Sequence, residues 1–153
     1  SSLEHAFEEI ISQTEFAVKS EIEKSIPDGE WSFRDRIDSD AVTDTSYYID
    51  LKMISEKGEL TLDFSETEQQ AKGPINFVMH SSVPKFMLGL FLTKDNPNIV
   101  MNAGFQRAVK HVKTRSGSLL NPDSPAPLGL RSHSMFRVNT SLFSLKMEAV
   151  PLP

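Results

Sequence analysis

The sequence predicts an α+β protein whose sheet is mainly antiparallel. Three patterns lead to this prediction: a long run with helical periodicity at the start, an alternating pair of segments over 47–64, and apolar segments at 82–93 and after His133 that favour helices. We expect a long N-terminal amphipathic helix, a buried central helix and a C-terminal helix around that sheet.

The first predicted element is an amphipathic helix over residues 3–25. Apolar residues recur there every three or four positions, Glu and Lys fill the other faces, and no Gly or Pro interrupts the run. The helix should end at Ile26, because the residue before Pro27 disfavours the helical conformation and Gly29 suits a turn. Its apolar stripe has to be buried, either on a sheet or on a partner subunit. The stripe consists of Leu3, Phe7, Ile10, Ile11, Thr14, Ala17, Val18, Ile22 and Ile26.

Strands are predicted in three places. Residues 31–33 alternate over a short stretch, and residues 109–112 are apolar enough for another short strand. The clearest pattern is a hairpin over 47–64, in which every second residue is apolar on both sides of a turn at Glu56-Lys57-Gly58. Residues 75–80 form either a short strand or the approach to the next element.

Two later segments favour helices. Residues 82–93 are apolar nearly all round and carry Pro84 in the first turn, where the missing N–H of proline has no partner to lose, so a buried helix is expected. From His133 to Met147 apolar residues recur at helical spacing, which predicts a final helix despite many Ser, Thr and β-branched residues. Three prolines within 122–127 predict an extended loop between them.

Composition limits the classes of protein to which the chain can belong. The 153 residues suffice for a sizeable core, and we expect one domain over 1–153. The absence of cysteine excludes disulfides, a thiolate zinc site and a cysteine nucleophile, and it agrees with a reducing cytoplasm. No apolar run approaches the ~20 residues of a membrane helix. We therefore expect a cytoplasmic protein without a membrane partner.

Charge is distributed unevenly along the chain. The net charge is −5, yet residues 1–40 carry 11 acids and 4 bases, whereas residues 101–153 carry 2 acids and 7 bases. A basic surface can bind nucleic acid, but the overall acidity and the few aromatic residues among the bases argue against that partner. The acidic and basic parts should pack together in one fold, or the basic part should face an acidic partner. A homo-oligomer stays open.

The motifs of common nucleotide and metal sites are missing. The seven glycines never take the spacing of a phosphate loop, and no two histidines have the i, i+4 spacing of a helical zinc site. Asp35, Asp38 and Asp40 crowd oxygen atoms that suit Mg²⁺, Mn²⁺ or Ca²⁺, but aspartates also cap loops locally, and neighbouring arginines can neutralise them.

Four polar residues within two positions of a Gly or Pro are candidates for ligand binding, because loops on a rigid scaffold concentrate binding groups. Each is also a common turn former. They are Asn76, Asn102, Asn121 and Arg131.

Taken in order, the loop motifs resemble the central part of the hydantoinase B/oxoprolinase family over about residues 27–131. No single motif is specific, whereas the ordered set is. The motifs are Pro27-Asp28-Gly29-Glu30-Trp31-Ser32-Phe33 followed by Asp35, Asp38 and Asp40; Leu62-Asp63-Phe64-Ser65 with Thr67 and Gln70; Gly73-Pro74-Ile75-Asn76; Asn102-Ala103-Gly104 with Arg107; and Gly117-Ser118, Leu120-Asn121-Pro122, Pro125-Ala126-Pro127 and Arg131.

The resemblance implies ATP-dependent opening of a cyclic amide, such as hydantoin or 5-oxoproline, or else carboxylation of a ketone such as acetone. It also implies an A-type partner subunit that handles the nucleotide, with ATP and a divalent metal belonging to the full complex and no cofactor bound by this chain alone. Matched polar positions are Asp38 and Asp40 as metal ligands and Asn76, Asn102, Asn121 and Arg131 as substrate contacts.

The chain departs from the family pattern at two places: Ala41 follows Asp40 where members often have Gly, and Glu66 precedes Thr67 where Gly is usual. A chain without the family's upstream region should be inactive alone. The alternative to a subunit domain with substrate contacts is an assembly module whose first helix docks another chain.

Overall fold

A computed structural model describes residues 1–95 and 103–150 of the chain. Four helices accompany one four-stranded sheet, so the α+β prediction is confirmed. In chain order the elements are α1 Ser2–Ser25, β1 Gly29–Ile37, β2 Tyr47–Glu56, β3 Glu59–Asp63, α2 Ser82–Asp95, α3 Ala103–Ala108, β4 Val109–Lys113 and α4 Arg131–Ala149.

The sheet has the order β1-β2-β3-β4. The first three strands form antiparallel pairs, with Phe33 opposite Leu51 and Met53 opposite Leu62, whereas β4 runs parallel to β3. The predicted hairpin is confirmed, and its two-residue turn has positive φ at Lys57 and Gly58, the geometry that follows the twist of the strands. The first strand is longer than predicted because its alternation continues through polar residues as far as Ile37.

One face of the sheet supplies the core. Every second residue of β2 is buried, and these side chains join apolar residues from β3, α2 and α4 in a single hydrophobic cluster. Between β1 and α4, Asp35 accepts hydrogen bonds from the guanidinium of Arg137 (Nη1–Oδ1 3.2 Å) and from the hydroxyl of Thr140 (2.8 Å). This polar contact fixes α4 against the edge strand.

Helix α1 begins and ends for local reasons. Ser1 and Glu4 form a capping box at its start, and Ile26 takes an extended conformation before Pro27, as the proline predicted. Its apolar stripe is buried at Val18 and Ile22, but the first ten residues are exposed. Ile11 and Thr14 are half-buried, so the stripe meets its own domain from about the middle of the helix onward.

Helices α2 and α4 form where the sequence predicted helices. The final helix is confirmed, and the central helix forms with Leu88 and Leu92 buried. The structure differs from the expectation of burial all round, because Phe86 and Leu90 on the opposite side of α2 are exposed. The short helix α3 has no counterpart among the sequence predictions.

Candidate functional site

Three connections meet at one end of the sheet, where β1, β3 and β4 end and β2 begins. We call residues 38–46, 64–81 and 114–130 the loop platform. Backbone hydrogen bonds join these connections: the N–H of Glu68 donates to the carbonyl of Tyr48 (3.0 Å), the N–H of Leu119 donates to Glu68 (2.9 Å), and the N–H of Phe77 donates to Leu119 (2.9 Å). The loops thus form a continuous hydrogen-bonded layer, and most of the polar residues singled out in the sequence lie in it.

Asp40 lies at the centre of the platform with its side chain fully buried. Its Oδ1 accepts hydrogen bonds from the N–H of Val42 (2.9 Å) and from the N–H and hydroxyl of Thr43. Its Oδ2 accepts from the hydroxyl of Tyr47 and from the N–H of Gly73, both at 3.0 Å. One carboxylate therefore joins the first loop to β2 and to the second loop.

These donors determine the charge state of Asp40. Burial by itself raises the pKa of the carboxyl, but hydrogen bonds from three backbone N–H groups and from the Tyr47 hydroxyl outweigh it, so the pKa lies well below the ordinary value of 3.8. Burial and the neighbouring carboxylate raise the pKa of Tyr47. Asp40 is consequently charged, and Tyr47 neutral, at physiological pH.

Gly73 and Ala41 lie next to this carboxylate, and the backbone favours glycine at both positions. A Cβ on Gly73 would lie 1.9 Å from the backbone oxygen of Asp40, so only glycine fits there. Ala41 has φ of 69°, in the left-handed region that favours glycine. The departure from the family pattern at Ala41 thus falls at a position where the backbone itself favours glycine.

Asn76 is fully buried and joins the second loop to the third. Its Oδ1 accepts from the N–H of Ala71 (2.7 Å), and its Nδ2 donates to the carbonyls of Ala71 (2.9 Å), Gly73 (3.3 Å) and Pro127 (3.1 Å). Both ends of the amide are used inside the platform. The carboxamide of Asn76 is thus occupied by hydrogen bonds within the protein.

A second set of hydrogen bonds, made by Arg115 and Thr67, also holds the loops and was not predicted from the sequence. Arg115 donates to the carbonyl of Thr67 (2.7 Å), and the Thr67 hydroxyl exchanges two hydrogen bonds with the backbone of Asp50. No local pattern in the sequence marks an arginine that donates to a carbonyl 48 residues away. Thr67, one of the matched family positions, would have been the useful signal.

The remaining predicted site residues are placed differently. The side chain of Asn121 is half-buried and makes no hydrogen bond within residues 1–95 and 103–150, and Arg131 is exposed with one long hydrogen bond (3.4 Å) to the carbonyl of Leu128. Asp38 is 94% exposed, 3.8 Å from Arg36. Asn102 lies outside the described residues. The side chains of Asn121, Arg131 and Asp38 are thus open to an incoming molecule, while Asp40 and Asn76 are committed to the platform.

A cleft of about 210 Å³ opens beside the platform, where β1 ends and α4 begins. Its lining combines apolar side chains with hydroxyl, imidazole and guanidinium groups. The first of its lining residues from α4, Ser132, directly follows Arg131 in the chain. Such a cleft can hold a small ring and donate hydrogen bonds to its oxygen atoms. Its lining residues are Ile37, Ser132, His133, Phe136 and Arg137.

Within residues 1–95 and 103–150, the candidate metal ligands do not form a cluster. Among them, no three His, Asp or Glu side chains converge on one point. Both oxygens of Asp40 already accept hydrogen bonds from protein donors. Metal binding by Asp38 and Asp40 stays a prediction.

A larger open cleft of about 460 Å³ lies between α1, α2, α3 and β4. Its basic groups are mostly paired: Arg107 donates to both carboxylate oxygens of Glu8 (2.7 and 3.3 Å), and Lys110 lies 3.9 Å from Glu15. The hydrogen bond and charge of Arg107 lower the pKa of Glu8. This arrangement favours a role in holding α1 rather than an anion site. Along the described segments, no helix is both long and apolar enough to traverse a bilayer.

Comparison with known proteins places the fold. The sequence profile of the family described as Hydantoinase B/oxoprolinase matches residues 1–152. The structure is similar to the ATP-dependent caprolactamase from Pseudomonas jessenii (TM-score 0.78, 21% identity, covering 97% of this chain and 25% of that chain). It is also similar to nucleotide-free acetone carboxylase (TM-score 0.60, 17% identity, covering 90% of this chain and 21% of that chain). None of the curated proteins compared matches the sequence. The chain thus spans a quarter or less of these structures.

Proposed function

This chain belongs to the hydantoinase B/oxoprolinase family, and from that membership we propose that it is a domain of a B-type subunit in an ATP-dependent enzyme that hydrolyses a cyclic amide. Hydantoin and 5-oxoproline are the proposed substrates, an A-type subunit is the proposed partner, and the cytoplasm is the proposed location. The observation that carries the proposal is the match along residues 1–152, joined to a fold similar to that of a caprolactamase.

The chemistry of the open side chains supports an amide substrate. The amide of a small ring is held cis, so that its N–H and C=O lie side by side on one edge. The carboxamide of Asn121 offers a complementary acceptor and donor pair, and the guanidinium of Arg131 adds donors for a second carbonyl or a carboxylate. We propose that these two side chains orient the ring, with Asp40 and Asn76 holding the loops that carry them.

In this proposal the A-type subunit, and not this chain, binds ATP. Phosphorylation of an amide oxygen is the chemistry that ATP supplies in such a complex. The described residues of this chain include no cluster of three or more metal-ligating side chains. Their proposed part is to bind and position the ring.

Two alternatives remain for comparison. Carboxylation of a ketone is supported by the similarity to acetone carboxylase, but a ketone lacks the N–H that an asparagine side chain can accept from. A non-catalytic assembly module is supported by the exposed first half of α1.

The test is reconstitution of the polypeptide that carries this chain with an A-type subunit. ATP hydrolysis is measured with hydantoin, with 5-oxoproline, and with acetone plus bicarbonate. We expect turnover that depends on a cyclic amide and on both subunits. Turnover only with acetone and bicarbonate would favour the carboxylase. Co-purification of the two subunits without turnover of any of these compounds would favour the assembly module.

A further inference from the structure

The segment that carries Asn121 is held differently on its two sides. On the N-terminal side, Leu119 and Leu120 are fully buried, and the carbonyl of Leu120 accepts a hydrogen bond from the N–H of Met79 (3.2 Å). On the C-terminal side, three prolines within residues 122–127 remove backbone donors, so hydrogen bonds between backbones are less able to hold it. The direction of the Asn121 side chain depends on both sides, because together they fix the backbone to which it is attached.

The side chain of Gln70 holds the C-terminal side. Its Oε1 accepts a hydrogen bond from the N–H of Asp123 (2.7 Å), and its Nε2 donates to the carbonyl of the same residue (3.3 Å). The carboxamide thus pairs with both backbone groups of one residue, as an opposing antiparallel strand would. In the parts of the chain that the structure describes, the backbone of residues 122–126 makes hydrogen bonds only with Gln70.

The backbone of Gln70 is attached to the same loop. Its N–H donates to the carbonyl of Gly117 (3.0 Å), and the N–H of Gly117 donates to the carbonyl of Asn121 (2.9 Å). The hydroxyl of Ser116 also donates to the carboxylate of Asp123 (3.0 Å). Gly117 has φ of 79°, a conformation that favours glycine. Gln70, Gly117 and Asp123 therefore belong to one hydrogen-bonded turn, and Asn121 lies within it.

We propose that Gln70 is a positioning residue of the substrate site, an inference that rests on the proposed function. The carboxamide of Asn121 makes no hydrogen bond within residues 1–95 and 103–150, so its direction depends on the backbone that carries it. Gln70 fixes that backbone and thereby directs the acceptor and donor of Asn121 toward the amide edge of the ring. Because a hydrogen bond weakens steeply when its angle is distorted, loss of this alignment weakens substrate binding although Gln70 itself does not touch the substrate.

The test uses the polypeptide that carries this chain, reconstituted with an A-type subunit, and steady-state kinetics with hydantoin and with 5-oxoproline. Gln70→Ala should raise the KM for the cyclic amide about fivefold with kcat nearly unchanged, because a contact that binds the substrate is misaligned. Gln69→Ala is the matched control and should leave the KM unchanged, because the Gln69 side chain is exposed and makes no hydrogen bond to any described residue. Far-UV circular dichroism and thermal unfolding verify that both variants fold.

A double-mutant cycle with Asn121→Ala distinguishes positioning from a general effect on the fold. If Gln70 acts through Asn121, adding Gln70→Ala to Asn121→Ala should change the KM by less than about twofold. A parent enzyme that turns over no cyclic amide would contradict the proposed function, and this inference with it. Turnover by the parent with an unchanged KM in Gln70→Ala, or with an equal rise in KM whether or not Asn121 is present, would overturn the positioning role of Gln70 alone.

Discussion

At the residue scale, the structure separates polar residues that hold the platform from polar residues that face outward. Asp40 and Asn76 are fully buried and saturated with hydrogen bonds, whereas Asn121 and Arg131 retain open donors and acceptors. In the sequence both kinds stand in predicted loops, with no local pattern that separates them. Burial, which depends on how distant segments pack, is what distinguishes them.

Substitution of Asp40 tests its structural role and its charge. Asp40→Asn should lower the Tm by more than about 5 °C, because an amide cannot accept from all five donors, while Tyr47→Phe, which removes one donor, should cost less. Because the pKa of Asp40 is depressed on folding, its contribution is present above its ordinary pKa and lost as pH falls below it. Between pH 7 and pH 3 the free energy of unfolding should fall less steeply for Asp40→Asn than for the parent chain. Equal slopes would contradict this role.

Ala41→Gly should stabilise the chain by about 0.5–1 kcal/mol, because glycine adopts the φ of 69° without the strain of a side chain. Ala71→Gly is the control, because Ala71 is buried and does not have positive φ, and it should destabilise by about 1 kcal/mol. Urea unfolding measures both. A loss of stability in Ala41→Gly would contradict the strain argument.

Gly73→Ala should destabilise the chain by at least about 3 kcal/mol, because the new methyl group would overlap the backbone oxygen of Asp40 at 1.9 Å. At Gly129 the nearest atom to an added Cβ is 3.8 Å away, so Gly129→Ala should change the free energy of unfolding by less than about 0.5 kcal/mol. Similar effects of the two substitutions in urea unfolding would count against a close contact at Gly73.

At the scale of elements, local patterns were enough for the hairpin, α1 and α4, since turn residues, alternation and helical spacing are all encoded within about 25 residues. Local patterns could not predict that β4 runs parallel to β3, because this depends on the path of the chain between residues 63 and 109. The exposure of Phe86 and Leu90 was missed for a related reason, because an apolar segment predicts burial but not which of its faces the rest of the domain covers.

The loop after β4 and the first turn of α4 should affect substrate more than stability. In the reconstituted enzyme, Asn121→Ala and Arg131→Ala should each raise the KM for a cyclic amide about tenfold or more with the Tm nearly unchanged, since neither side chain supports the fold. Asn76→Ala should lower the Tm by several degrees, because it removes four hydrogen bonds, three of which are buried. Unchanged KM in Asn121→Ala and Arg131→Ala would remove them from the substrate site.

At the scale of the whole molecule, the family's ordered motifs describe one structural unit. Residues from 40, 76 and 115–121 are far apart in sequence and meet at one end of the sheet, held by hydrogen bonds between loops. The series of motifs can be recognised in the sequence. The structural role of Asp40 and Asn76, which hold the loops together from inside, cannot be predicted in the same way, because it depends on how three distant loops pack.

Amide hydrogen exchange in the native state tests this unit most directly. In Asp40→Asn we predict that protection of the Thr43, Gly73 and Ala71 amides falls together, at least about tenfold, while the β2–β3 ladder keeps its protection. Loss of protection confined to Thr43, with the second loop unchanged, would contradict the claim that one buried carboxylate holds the loops as a single platform.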